Sequence, residues 1–294
     1  MPDAAATFAR YETIRPRLPS PGRPGAGRRI DGLPAMADHA DAFVFDAFGV
    51  LNVGNALIPG ADACLDALRA MGKQIRLLTN AASQPHAAAV AKFRRFGLHL
   101  DPAEIITSRD ATLAALDERL WGCIALPEDG LTDIPGAALR LGEDPADFAR
   151  AEGFLFLASA GWTPERQSLL AAAMRDHPRP LRIANADLVA PRGDHLSLEP
   201  GWYGHALLDA GLADVRFFGK PFPEVYQMAE ATLPGTPPAR IAMSGDTLHT
   251  DILGAQARGW QGVFVTADGL FAGHDPAPYI EACGIRPDWI TARI

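Results

Sequence analysis

The sequence predicts a doubly wound α/β fold, in which helices cover both faces of a parallel sheet and a second, smaller α/β unit is set into the chain. Three observations carry this expectation. Short apolar runs recur, each closed by polar or small residues. Helical stretches separate them. Midway along the chain that rhythm breaks and then resumes.

The runs come in order. Ala42–Phe45 ends at Asp46, Ile75–Leu78 at Thr79 and Asn80, and Val215–Phe218 at Gly219 and Lys220. Ile241–Met243 precedes Gly245 and Asp246, and Gly262–Thr266 precedes Ala267 and Asp268. Runs of four or five apolar residues bounded in this way read as strands buried on both faces. The helices expected between them are Ala61–Met71, Pro85–Phe96, Pro223–Thr232 and His249–Arg258, the last stopped by Gly259. Between about 122 and 214, the runs Gly122–Leu126, Gly153–Leu157 and Leu181–Ala184, with a helix at Pro164–Met174, are expected to form the second unit. The main unit then comprises residues 41–121 and 215–294.

Residues 1–40 differ. Six arginines (Arg10, Arg15, Arg17, Arg23, Arg28 and Arg29) meet four acids, and prolines recur from Pro16 to Pro34. Arg15–Arg29 favours extended or irregular backbone, and the segment reads as an arm draped on the body or on a partner subunit rather than a nucleic-acid-binding tail. Across the 294 residues, 48% are hydrophobic, 21% are charged and the formal net charge is −8, which argues against disorder and against non-specific nucleic-acid binding. Three scattered cysteines suit reduced thiols in a cytoplasmic protein, and neither a membrane span nor a secretory leader is expected.

In open α/β sheets, ligands bind at the carboxyl edge, so Asp46, Thr79, Asn80, Lys220 and Asp246 are expected to converge. Four segments carry these residues: Phe43-Val44-Phe45-Asp46-Ala47-Phe48-Gly49-Val50-Leu51, Leu77-Leu78-Thr79-Asn80, Gly219-Lys220-Pro221, and Ser244-Gly245-Asp246 continuing through Asp251 to Ala255. In order and spacing they resemble the signatures of the haloacid dehalogenase-like (HAD) hydrolases, more narrowly class IIA, the NagD-like and pyridoxal-phosphate phosphatase-like enzymes. The resemblance implies a Rossmann-like core with an inserted cap of the C2 type. It also implies a Mg²⁺-dependent phosphatase acting on small phosphorylated metabolites, such as sugar phosphates, nucleotides or pyridoxal phosphate. Class IIA includes cap-mediated dimers, so the resemblance allows a homodimer through the cap.

A carboxylate at a strand end can attack phosphorus and divide one hard hydrolysis into two displacements, and Asp46 fits that nucleophile. Anion attacking anion needs a hard cation, and Mg²⁺ prefers oxygen ligands. Asp46, Asp246 and the backbone carbonyl of Phe48 resemble the family's ligand set, with Asp251 supporting the metal at one remove. The Thr79 hydroxyl and the Asn80 backbone amide would hold the phosphoryl oxygens, and Lys220 would neutralise charge there.

One position departs from the pattern. The family's phosphatases usually carry Asp-x-Asp, the second aspartate giving the leaving oxygen its proton, and here that position is Phe48. Three readings stay open: substrates with good leaving groups, a substitute acid from the cap, or a phosphate-binding relative without turnover. His195 and His205 are cap-side candidates for the acid. Asn185 and Asp187 either contact substrate or close an Asx-type turn. Pro191–Tyr203, with Arg192, Asp194, His195, Glu199, Trp202 and Tyr203, could read the leaving group. No lysine lies between Gly122 and Asp214, which excludes a cap-borne Schiff base.

Overall fold

The computed structural model describes residues 2–192 and 195–294. Its main sheet has seven parallel strands in the spatial order Arg28–Arg29, Trp289–Thr291, Gln261–Val265, Ile241–Gly245, Ala42–Phe45, Gln74–Thr79 and Ile105–Thr107. Strand Ala42–Phe45 is buried throughout, and its alternating side chains divide between two cores. Phe43 and Phe45 join Leu65, Leu68, Leu77 and Phe93 on one face, while Ala42 and Val44 join Tyr226, Met243 and Trp260 on the other. Burying a side chain of this size contributes roughly 1.5–3 kcal/mol, so the continuous apolar run holds the central strand from both sides.

The chain winds outward in both directions from Ala42–Phe45, which lies between Gln74–Thr79 and Ile241–Gly245. That reversal opens a crevice at the carboxyl ends of the three strands, where Asp46, Thr79 and Asp246 sit.

A second parallel sheet runs in the order Val215–Phe217, Leu181–Ile183, Gly153–Phe156, Arg119–Ile124 and Gly136–Arg140. Two of its features depart from the sequence expectation. Val215–Phe217, expected in the main sheet, pairs with Leu181–Ile183 instead, so the chain returns to the main unit only after that strand. The first strand also begins at Arg119, before the expected Gly122. An apolar run of three or four residues shows that it is a strand, not which sheet completes it. Gly136–Arg140 and the helix Pro145–Arg150 had no apolar period to reveal them; the strand is exposed over its first three residues and part-buried over its last two.

The amino-terminal segment is more ordered than its composition suggests. Asp3 caps a helix over Ala4–Ile14 by accepting the Ala6 N–H at 2.8 Å, and Tyr11 and Ile14 on its inner face are buried. This helix straddles the two units. Arg10 and Arg17 pair with Asp209 of the second unit at 2.5 and 2.6 Å, while Tyr11 stacks on His249 of the main unit with ring centroids 4.9 Å apart. Farther on, Arg28–Arg29 becomes the edge strand of the main sheet.

Arg109, in the helix Ser108–Leu113, is wholly buried and grips Asp129 and Asp133 of the following segment through contacts of 2.6 Å each, with a third bond to the Ala82 carbonyl. Removing it strands the buried Asp129 carboxylate. Arg109→Ala should therefore lower unfolding stability by about 3–5 kcal/mol in denaturant titration; a loss below about 1 kcal/mol would show that Asp129 finds another partner.

Candidate active site

The crevice gathers four carboxyl groups around one lysine. Asp46 follows the central strand directly, and its Oδ1 accepts the Ala47 N–H at 2.7 Å. The Nζ of Lys220 lies 2.5 Å from the same oxygen and 2.7 Å from Asp251 Oδ1. Asp246 accepts the Leu270 N–H on Oδ2 at 2.7 Å and the Thr247 hydroxyl on Oδ1 at 3.2 Å. The second oxygen of Asp251 accepts the Thr247 N–H at 3.1 Å. Ligand oxygens of Asp46, Asp246 and Asp251 lie within 4.8 Å of one another. The fourth carboxyl, Asp187, comes from the second unit, and its Oδ1 accepts from Asn80 Nδ2 at 2.8 Å.

The backbone makes this approach feasible at two glycines. Gly219 has φ +95°, a conformation L side chains rarely adopt, and a Cβ there would fall 2.5 Å from the Asn80 side-chain oxygen Oδ1. At Gly245 a Cβ would fall 2.0 Å from the Asp251 carboxyl carbon. The turn that brings Asp251 back over the strand end is a single wide helical turn over Leu248–Ile252, leading into the helix Leu253–Ala257.

Burial and crowding set the charge states. Burial pushes the Asp46 carboxyl up to about 6 against the pull of Lys220, and the Asp251 carboxylate adds to the rise. Asp246 is driven well above the carboxylate range by burial and by Asp251 and Asp46. Asp187 rises to about 8 through burial, opposed by Lys220 and helped by Asp46. Burial alone would discharge Lys220, but Asp251, Asp46 and Asp187 outweigh it and raise its affinity for the proton.

The sequence-predicted residues distribute unevenly. Asp46, Phe48, Asp187 and Asp246 line one cavity of about 50 Å³, closed by Tyr11, Thr247, Thr250, Leu270 and the segment 189–191. Thr79 is buried at its strand end, with its hydroxyl accepting the Ala81 N–H at 3.2 Å. The Asn80 side chain accepts the Lys220 N–H at 2.6 Å and donates to the Lys220 carbonyl at 3.0 Å, which ties two expected site residues into one unit.

Asn185 turns inward. Its Oδ1 accepts the Asp187 N–H at 2.9 Å, an Asx turn, and its Nδ2 donates to Glu199 at 3.2 Å. His195 stands exposed in the hairpin that pairs Val189–Arg192 with His195–Leu198, away from the cavity lining; Asp194 lies outside the described residues.

His205 does not reach the site either. It is fully buried in the second unit, stacked 4.1 Å from the Phe217 ring with neither nitrogen hydrogen-bonded among the described residues, and burial lowers its pKa to about 3. Among the cavity residues that sequence reasoning missed is Tyr11. Its hydroxyl accepts the Leu188 N–H at 3.3 Å, beside Asp187, and only the spacing of Ala4, Thr7, Tyr11 and Ile14 could have flagged that buried face.

The chain matches the family model for haloacid dehalogenase-like hydrolases over residues 43–128 and a HAD-hydrolase-like model over 217–291. It is 30% identical over 248 residues to human (Homo sapiens) glycerol-3-phosphate phosphatase, covering 74% of this chain and 76% of that one. Chronophin of Rattus norvegicus is 29% identical over 225 residues, covering 73% and 72%. The crystal structure of a haloacid dehalogenase-like hydrolase from Brucella suis superimposes with a TM-score of 0.75 at 25% identity, covering 90% of this chain and 99% of that one. The chain belongs to the haloacid dehalogenase-like hydrolases. Within them it is a NagD-like, class IIA enzyme.

The state of His205 gives a testable consequence. Its folded pKa lies below the unfolded value, so the unfolded chain binds more protons as the pH falls below about 6.5, and the native state loses stability relative to a variant without this group. His205→Phe should gain about 2–3 kcal/mol over wild type between pH 7 and 4.5. A stability difference that stays flat across that range would place a charged histidine in the second unit.

Proposed function

We propose that this enzyme is a Mg²⁺-dependent phosphatase of small phosphorylated metabolites, working through an aspartyl-phosphate on Asp46. The observation that carries the reading is the cluster of Asp46, Asp246 and Asp251 about Lys220 at the carboxyl edge of the parallel sheet. Glycerol-3-phosphate phosphatase and chronophin, similar over nearly three quarters of the chain, support phosphate-ester chemistry.

The residues fit a divalent cation. Three buried carboxyl groups, with the half-buried Asp187 beside them, share one ammonium group, which leaves the pocket short of positive charge, and the donors are all hard oxygens of the kind Mg²⁺ takes. Asp46, Asp246 and the Phe48 carbonyl would hold it. The two hydrogen bonds between the Phe48 and Asn52 segments use the Gly49 N–H and the Ala47 carbonyl, and neither engages the Phe48 carbonyl. When bound, the cation would screen the charge of the incoming phosphate and polarise it. Asp251 has both oxygens committed to Lys220 and the Thr247 N–H, so it serves to hold the lysine and the loop rather than the ion.

The remaining steps belong to the protein. Asp46 Oδ1 is fixed by the Ala47 N–H and Lys220, which leaves Oδ2 for in-line attack on phosphorus. Lys220 then faces the charge spread over the phosphoryl oxygens, joined by the Thr79 hydroxyl and the Asn80 backbone amide. Water attacks the phosphoryl-aspartate, releasing inorganic phosphate and regenerating Asp46. The cavity is narrow, so Tyr11 and the segment 189–191 would set which leaving groups enter.

Wild type should release phosphate from small phosphate esters only when Mg²⁺ is present, and Asp46→Asn should cut that release by on the order of 10³-fold or more in a phosphate assay. Turnover retained by Asp46→Asn would remove Asp46 as nucleophile.

A further inference from the structure

With Phe48 at the position where the family's phosphatases usually carry the proton donor, the reaction lacks an obvious general acid. The cavity lining narrows the choice. Phe48 itself has no proton to give, and Asp46 and Asp246 belong to the nucleophile and the cation's ligands. The threonine hydroxyls are too weakly acidic, and burial drives the Tyr11 phenol well above its usual value of 10. The histidines singled out in the sequence lie elsewhere, His195 exposed in its hairpin and His205 sealed in the second unit's core. One carboxyl on the lining remains uncommitted.

We propose that Asp187 is the general acid and base of this enzyme, supplied by the inserted unit to the pocket that Phe48 leaves without one. The inference rests on the phosphatase reading of the site. Asp187 lines the cavity with Asp46, Phe48 and Asp246. Unlike Asp46 and Asp251, it has no lysine or arginine within ion-pairing distance among the described residues. Its one side-chain bond comes from a neutral amide, Asn80 Nδ2 on Oδ1, an arrangement that a protonated carboxyl keeps while Oδ2 holds the proton.

The residue is also held from both sides. Its own N–H donates to Asn185 Oδ1, the next N–H, that of Leu188, donates to the Tyr11 hydroxyl, and Glu199 accepts from Asn185 behind it. Asn80 in turn bonds both Asp187 and the Lys220 backbone, so the acid and the charge-stabilising lysine share one anchor. The Asx turn that looked like an alternative to function at Asn185 and Asp187 is, on this reading, what aims the acid.

The proton balance is simple. As Asp46 Oδ2 bonds to phosphorus, the phosphorus–oxygen bond to the leaving group breaks, and the proton on Asp187 Oδ2 passes to the departing oxygen, which leaves as an alcohol. The Asp187 carboxylate then takes a proton from the water that attacks the phosphoryl-aspartate. The bond from phosphorus to Asp46 breaks, inorganic phosphate departs, and both aspartates regain their starting states.

Because acid assistance matters most for a poor leaving group, the test is leaving-group dependence. With Mg²⁺ present, kcat/KM is measured for an alkyl phosphate (glycerol phosphate) and for p-nitrophenyl phosphate, in wild type, Asp187→Asn and Asp187→Asn with Phe48→Asp. Asparagine still accepts the Asn80 bond, so a purely structural role survives the change. The alkyl value should fall by about 10²–10⁴-fold in Asp187→Asn while the aryl value falls less than about ten-fold, and adding Phe48→Asp should restore much of the alkyl rate. Equal losses on both substrates, or an alkyl rate unaffected by Asp187→Asn, would overturn the assignment of Asp187 and leave the phosphatase reading standing. Wild type inactive on both substrates would overturn the phosphatase reading, and the acid assignment with it.

Discussion

Lys220 carries the electrostatics of the site. Its ammonium group is buried with Asp46 Oδ1 at 2.5 Å and Asp251 Oδ1 at 2.7 Å, and its backbone is clamped by Asn80 on both the N–H and the carbonyl. A lone buried ammonium would lose its proton, and lone buried carboxylates would gain one. Packed together, each supplies the reason for the other's charge. Four segments far apart in sequence must meet for this to happen: the main sheet brings Asp46, Asn80 and the turn to Asp251 to one edge by reversing its winding at Ala42–Phe45, and Lys220 arrives just after the strand Val215–Phe217 of the second sheet.

One lysine cannot balance four carboxyl groups. On the proposed reading, the remaining negative charge makes the pocket a cation site and separates the carboxyls by role. Those nearest Lys220 stay committed to it, while Asp187, attached only to an amide, is the one best able to stay neutral. The amino-terminal helix contributes here in a way a surface arm would not. Tyr11 lines the cavity and touches the backbone beside Asp187, and Arg10, with Arg17 in the turn that follows, fastens the same helix to Asp209 of the second unit.

Much of this was legible in the sequence, because each strand of the crevice ends its apolar run at a chemically distinctive residue. Asp46, Thr79, Asn80 and Asp246 fall where the runs stop, and local pattern is enough to find them. Val215–Phe217 shows where that legibility ends: the run announced a strand, but its partner, Leu181–Ile183, is set by packing in the second unit. The bond from Asn80 to Asp187 spans 107 residues and leaves no local trace. His205 stood as a cap-side candidate for the acid, yet it stacks on Phe217 in an apolar core. The helix at Ala4–Ile14 went unassigned because the arginines and prolines around it dominate the composition, while its stabilisation comes from tertiary burial of Tyr11 and Ile14.

The central claim is that the uncompensated charge at this sheet edge is a built cation site, and Mg²⁺-dependent thermal unfolding tests it most directly. A ligand that binds only the native state raises stability by RT ln(1 + [L]/Kd), about 2.7 kcal/mol at one hundred times Kd. Wild type should show a saturable rise in Tm with Mg²⁺, reversed by a chelator and lost in Asp246→Asn. A Tm indifferent to Mg²⁺, or one that rises equally in wild type and Asp246→Asn, would contradict the account.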